Sequence, residues 1–89
     1  MKCLRLKIYG TVQGVFFRQR TMEKARELGV NGTVKNCPDG SVEVQAEAQP
    51  EIMEQFIEWC RKGPSRAQVS TLDIHEETVH NFDDFRIIR

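Results

Sequence analysis

The stretch Leu4-Arg5-Leu6-Lys7-Ile8-Tyr9-Gly10-Thr11-Val12-Gln13-Gly14-Val15-Phe16-Phe17-Arg18 decides the fold, because the hydrophobic pattern changes period across it. Leu4, Leu6 and Ile8 alternate with Arg5, Lys7 and Tyr9, the period of a strand with one buried face. Beyond the glycine-punctuated loop, Met22, Ala25 and Leu28 recur at helical spacing and Gly29 follows as a stop. A helix is therefore expected from Phe17 to Leu28, directly after a strand and a short loop.

Further along the chain, Val30 to Asn36 reads as a second strand, and Pro38-Asp39-Gly40 carries strong turn chemistry. Val42, Val44 and Ala46 then alternate with Glu43, Gln45 and Glu47, which completes a hairpin. Pro50 suits the first turn of another helix, on which Ile52, Phe56, Trp59 and Cys60 form an apolar stripe until Gly63-Pro64. Val69, Leu72 and Ile74 suggest a fourth strand, and Phe85 with Ile87 a short terminal one, across a polar excursion from Glu76 to Asp84. The order β-α-β-β-α-β predicts an α+β ferredoxin-like sandwich: a mainly antiparallel sheet of four to five strands with two helices on one face. Such folds carry many functions, so the site must decide the chemistry.

The 89 residues predict one domain over 1–89, with 39% hydrophobic and 29% charged residues, as in water-soluble globular chains. No apolar run would span a bilayer and no export leader is evident, so cytoplasmic residence is expected, with no membrane partner. Thirteen basic and thirteen acidic residues cancel, which removes the broad positive field that nucleic acid binding usually needs. Cys3, Cys37 and Cys60 lie far apart without a C-x-x-C pair and read as free thiols. His75 and His80 sit in a polar stretch with no cysteine nearby in sequence, and read as surface residues rather than metal ligands.

The loop from Gly10 to Arg18 has the makings of an anion cradle. Glycines let successive N–H groups point inward, the following helix adds its positive end, and an arginine supplies a forked charge. Arg18 and Arg20 fall in the helix's first turn with no carboxylate before Glu23, the wrong charge for a helix start unless an anion binds there. By spacing alone, a plain glycine turn with a solvated Arg18 is the favoured reading, and Asn36 taken by itself reads first as a turn residue before Cys37-Pro38-Asp39-Gly40.

Three ordered motifs resemble those of the acylphosphatases. Gly10 to Arg18 matches the family's G-x-V-Q-G-V-x-F-R, Val34 to Glu43 its V-[KR]-N-x-x-D-G-x-V-E, and Gly63 to Val69 its G-P-x-x-A-x-V. The resemblance covers almost the whole chain. It implies hydrolysis of the carboxyl-phosphate bond of small acyl phosphates to a carboxylate and inorganic phosphate, without metal or organic cofactor. Arg18 and the backbone N–H groups of Gln13, Gly14, Val15, Phe16 and Phe17 would hold the phosphoryl oxygens, and Asn36 would orient the attacking water. Inorganic phosphate or sulfate would occupy the same site, and a monomer is expected.

That division of labour is chemically sufficient, because the leaving carboxylate has a conjugate acid of pKa about 4 to 5 and departs without a proton. Phosphoryl transfer then asks for in-line positioning and for charge stabilisation on the non-bridging oxygens. The chain departs from the family in having Thr33 where an aromatic residue is common, on the strand face opposite Asn36. Of the adjacent Phe16 and Phe17, one is expected to line the mouth of the site and the other to pack inward. Trp59 is expected in the core. A ferredoxin-like sensor that holds an anion without turnover would keep Arg18 but have no need of Asn36. An RNA-recognition module would need exposed aromatics on the central strands, where this chain has Val42, Glu43, Val44 and Gln45.

Overall fold

A computed structural model describes residues 1–89. Its elements are β1 (Lys2–Thr11), α1 (Phe17–Leu28), β2 (Asn31–Asn36), β3 (Val42–Ala48), α2 (Pro50–Lys62), β4 (Gln68–Glu77) and β5 (Phe85–Ile88). The strands form one sheet in the order β4-β1-β3-β2-β5. All neighbours are antiparallel except β2 and β5, which run parallel, so the ferredoxin-like core carries a fifth, parallel edge strand.

Alternation along the strands builds the core. Leu4, Leu6 and Ile8 of β1, Val34 of β2, and Val42, Val44 and Ala46 of β3 face the helices, where they meet Phe17, Ala25, Met53, Phe56 and Cys60. Phe56 contacts Phe85 edge-on at 6.0 Å between centroids, which ties α2 to the last strand. Each such large side chain, fully buried, contributes about 1.5 to 3 kcal/mol before chain entropy is counted. No helix is long and apolar enough to cross a membrane.

The helix stripes are rotated slightly from the expected ones. On α1 the deepest residues are Phe17, Thr21 and Ala25, while Met22 and Leu28 are half-buried, because Phe17 turns under the helix at its first position. The Thr21 hydroxyl is satisfied by donating to the Phe17 carbonyl at 2.7 Å. On α2, Met53 lies deeper than Ile52, and Trp59 is half-buried, tilted against Phe17 at 6.1 Å. The Gly29 stop is observed in full: its N–H donates to the Arg26 carbonyl and that of Val30 to the Ala25 carbonyl, the paired bonds of a Schellman end.

Gly10 marks where β1 shifts register against β4. A Cβ there would lie 2.1 Å from the Gln68 carbonyl oxygen, so only glycine permits this approach. β1 and β4 both run longer than the hydrophobic alternation indicates, since their mutual pairing extends from Cys3 opposite Glu77 to Thr11 opposite Gln68. On the outward face Arg5 pairs with Glu77 of β4 and Glu43 of β3, and Lys7 with Asp39.

The segment read as a polar excursion begins as the end of β4 and then folds over the open sheet face. Glu47 lies beneath it, 3% exposed, and accepts the backbone N–H groups of His80, Asn81 and Phe82. Burial by itself would raise the Glu47 carboxyl, but the N–H groups of His80, Phe82 and Asn81 outweigh it and hold the group below the usual carboxylate range. Asn31 closes the loop by donating from Nδ2 to the Phe82 carbonyl at 3.0 Å.

Candidate active site

The chain leaves β1 at Thr11 and reaches α1 through Val12 to Phe16. Val12 is buried and anchors the loop, while the Gln13 side chain donates from Nε2 to the carbonyls of Cys37 and Ser41 at 2.8 and 2.9 Å. This clamps the loop to the β2–β3 turn. The turn is itself braced, with Asp39 Oδ1 accepting the Ser41 N–H and hydroxyl at 3.0 and 2.5 Å. Those two bonds, with Lys7 at 3.3 Å, hold the Asp39 carboxyl down at about 2.

Phe16 and Phe17 part ways. Phe16 adopts φ 62° and ψ 24°, a left-handed conformation that a bulky side chain rarely takes, and its ring stands 67% exposed. Phe17, 2% exposed, packs inward. A Cβ at Gly63 would lie 2.7 Å from the Phe17 ring, so the Gly63-Pro64 corner is shaped to receive that ring. The third motif therefore supports the first by packing.

The backbone N–H groups from Gln13 to Gln19 have no acceptor within the protein, and the first bond of the helix runs from Arg20 to the Phe16 carbonyl. No side chain caps the helix start and no acidic residue lies in its first turn. Of the two cations there, Arg20 pairs with Glu23 at 2.9 Å, whereas Arg18 makes no ion pair or hydrogen bond within the protein. The electrostatic mismatch read from the sequence thus rests on Arg18.

A cavity of about 280 Å³ opens at this point, lined by Gly14, Phe16, Phe17, Arg18 and Gln19 from one side and by Asn36 from the other. Asn36 is the last residue of β2, half-buried, and its amide makes no hydrogen bond within the protein. Arg18 and Asn36, separate in sequence, therefore share one cavity. Its size suits a small anion with a short substituent. Val15, half-buried, packs against the core and contributes its backbone to the loop. Thr33 stands on the opposite face, its hydroxyl 3.5 Å from Gln45 Oε1, and takes no part in the cavity.

Ile87 and Arg89 also line the cavity, and sequence reasoning missed them. The parallel pairing of β5 with β2, which sets Ile87 beside Val34, carries the chain end to the neighbourhood of Asn36. Periodicity indicated a short terminal strand but held no information on its partner.

The acylphosphatase family model matches residues 4–87. An acylphosphatase of Syntrophus aciditrophicus (strain SB) is 47% identical over 89 residues, covering 99% of this chain and 93% of its own. One of Acaryochloris marina (strain MBIC 11017) is 45% identical over 87 residues, covering 98% and 94%. The crystal structure of acylphosphatase from Bacillus subtilis superposes with a TM-score of 0.97 at 30% identity, covering both chains completely.

Proposed function

The chain belongs to the acylphosphatase family, and we propose on that premise how its own residues divide the hydrolysis of an acyl phosphate. Arg18 and the N–H groups of Gln13, Gly14, Val15, Phe16 and Phe17 bind the phosphoryl oxygens. The supporting observation is the run of N–H groups without protein acceptors beside an unpaired guanidinium, in the same cavity as Asn36. Gln13 contributes only its backbone, since its side chain is committed to Cys37 and Ser41.

Asn36, from the other wall, orients a water in line with the carboxyl-phosphate bond. The water oxygen bonds to phosphorus as the carboxylate leaves with the bonding electron pair, and the water proton passes to a phosphoryl oxygen. The leaving group needs no acid, and the fixed guanidinium and backbone dipoles stabilise the equatorial oxygens, so the reaction proceeds without a metal. The exposed Phe16 ring at the mouth leaves the acyl portion toward solvent, which suits small and varied acyl groups. Three free thiols fit a reducing compartment such as the cytoplasm.

Asn36→Ala tests the division of labour. Turnover of benzoyl phosphate should fall about a hundredfold while inorganic phosphate inhibits as before, because a water contact is lost and the anion contacts remain. Collapse of phosphate binding in this variant would remove the role assigned to Asn36.

A further inference from the structure

We propose that Cys3, Glu77 and His80 form a binding site for a borderline-soft divalent cation of the zinc class, separate from the hydrolytic site. The antiparallel register of β1 and β4 sets Cys3 opposite Glu77, with both side chains on the sheet face away from the helices. His80 follows three residues later, its Nε2 3.8 Å from Glu77 Oε1. One thiol sulfur, one carboxylate oxygen and one imidazole nitrogen thereby lie within 4.8 Å of one another.

In a four-coordinate zinc site the metal lies about 2.0 to 2.3 Å from each donor, which puts donors about 3.5 Å apart. A movement of about 1 Å closes the triad to that spacing. The exposed ring of His80 supplies the movement, while Cys3 is buried and Glu77 is held. Arg5 Nε stands 2.7 Å from Glu77 Oε2 as an ion pair out of line for a hydrogen bond, and Gln45 Nε2 donates to Oε1 at 2.9 Å. Such partners orient a ligating carboxylate. Glu47, also beside the thiol, remains with its three backbone donors and adds negative potential, so a water takes the fourth position.

The thiol distinguishes this cluster from an ordinary acidic surface and selects a borderline-soft ion over magnesium or calcium. On binding, the Cys3 S–H bond breaks, its proton goes to solvent, and a sulfur–metal bond forms with no change of oxidation state. Cys3 lies eight residues before Thr11 on β1, about 26 Å from where the chain enters the hydrolytic loop, so an ion here joins β1, β4 and the loop to β5 without touching the reacting phosphate.

The test is titration of the full chain, reduced and metal-free, with Co²⁺. The expected result is one equivalent bound with tetrahedral ligand-field bands and a thiolate-to-cobalt charge-transfer band, displaced by Zn²⁺. His80→Ala and Cys3→Ser should each weaken binding at least tenfold, and Cys37→Ser should leave it unchanged. His80→Ala is decisive because its side chain is exposed and the fold can be verified by circular dichroism. Absence of the charge-transfer band in the unmodified chain, an undiminished Co²⁺ affinity in the folded His80→Ala variant, or loss of the band in Cys37→Ser would overturn the proposal.

Discussion

Both ends of the sheet gather backbone N–H groups where a negative charge belongs, but they differ in who supplies the charge. At the end of β3 the Glu47 carboxylate is part of the chain, and His80, Asn81 and Phe82 donate to it under a folded-over loop. At the start of α1 the N–H groups from Gln13 to Gln19 have no internal acceptor, and Arg18 has no partner. An anion supplied by the chain produces a closed, structural end. An end whose N–H groups lack an internal acceptor is the place of the proposed binding site, and the exposure of Gly14, Phe16 and Gln19 to water keeps the unbound loop tolerable.

The sharpest way to break the comparison is Arg18→Lys. Hydrolysis should fall about 100- to 1,000-fold, since a point charge replaces a planar fork, while thermal melting should hardly move. A large fall in melting temperature would make Arg18 structural and erase the difference between the ends. Glu47→Gln should do the opposite, costing about 1 to 3 kcal/mol in urea unfolding because buried donors lose their charged acceptor, with turnover at saturating substrate unchanged. Lost turnover in a folded Glu47→Gln protein would show that the ends are coupled.

Acid should weaken both ends through depressed carboxyls. Asp39 titrates at about 2 in the folded chain against 3.8 ordinarily, and Glu47 is also lowered, so their stabilisation is present above the unfolded values and is lost as pH falls through the folded ones. Urea midpoints measured from pH 5 to 2 should therefore decline, and Asp39→Asn should flatten the part of the decline between about 4 and 2. The smallest effect is expected from Phe16→Asn. The exposed ring loses little burial and asparagine accepts the left-handed conformation, so stability should rise by about 0.5 to 1 kcal/mol in the same assay. No gain would mean that Phe16 packing offsets its strain.

Much of the end that carries the proposed site was legible in sequence, because its elements are local. Alternation located β1 and β3, helical spacing and Gly29 located α1, and the motifs picked out Arg18 and Asn36. The stripe of α1 was displaced from the expected one because Phe17, at the helix start, was free to turn inward only once Gly63 made room for it. The opposite end was far less legible. His80 was read as a surface residue with no cysteine nearby, and it is exposed, but the register of β1 against β4 brings Cys3 beside it from the other end of the chain. Ile87 and Arg89 reached the cavity in the same way, through a parallel pairing with β2.

The amino-acid sequence alone was enough for the order of elements, the family, and the residues proposed to bind phosphate, since periodicity and glycine-bounded turns are written in neighbouring positions. Only the tertiary structure decided which Phe faces the mouth, which carboxylate is buried, and which distant side chains meet. Those outcomes depend on strand register and on the packing of whole faces, where one residue's place is set by partners tens of positions away.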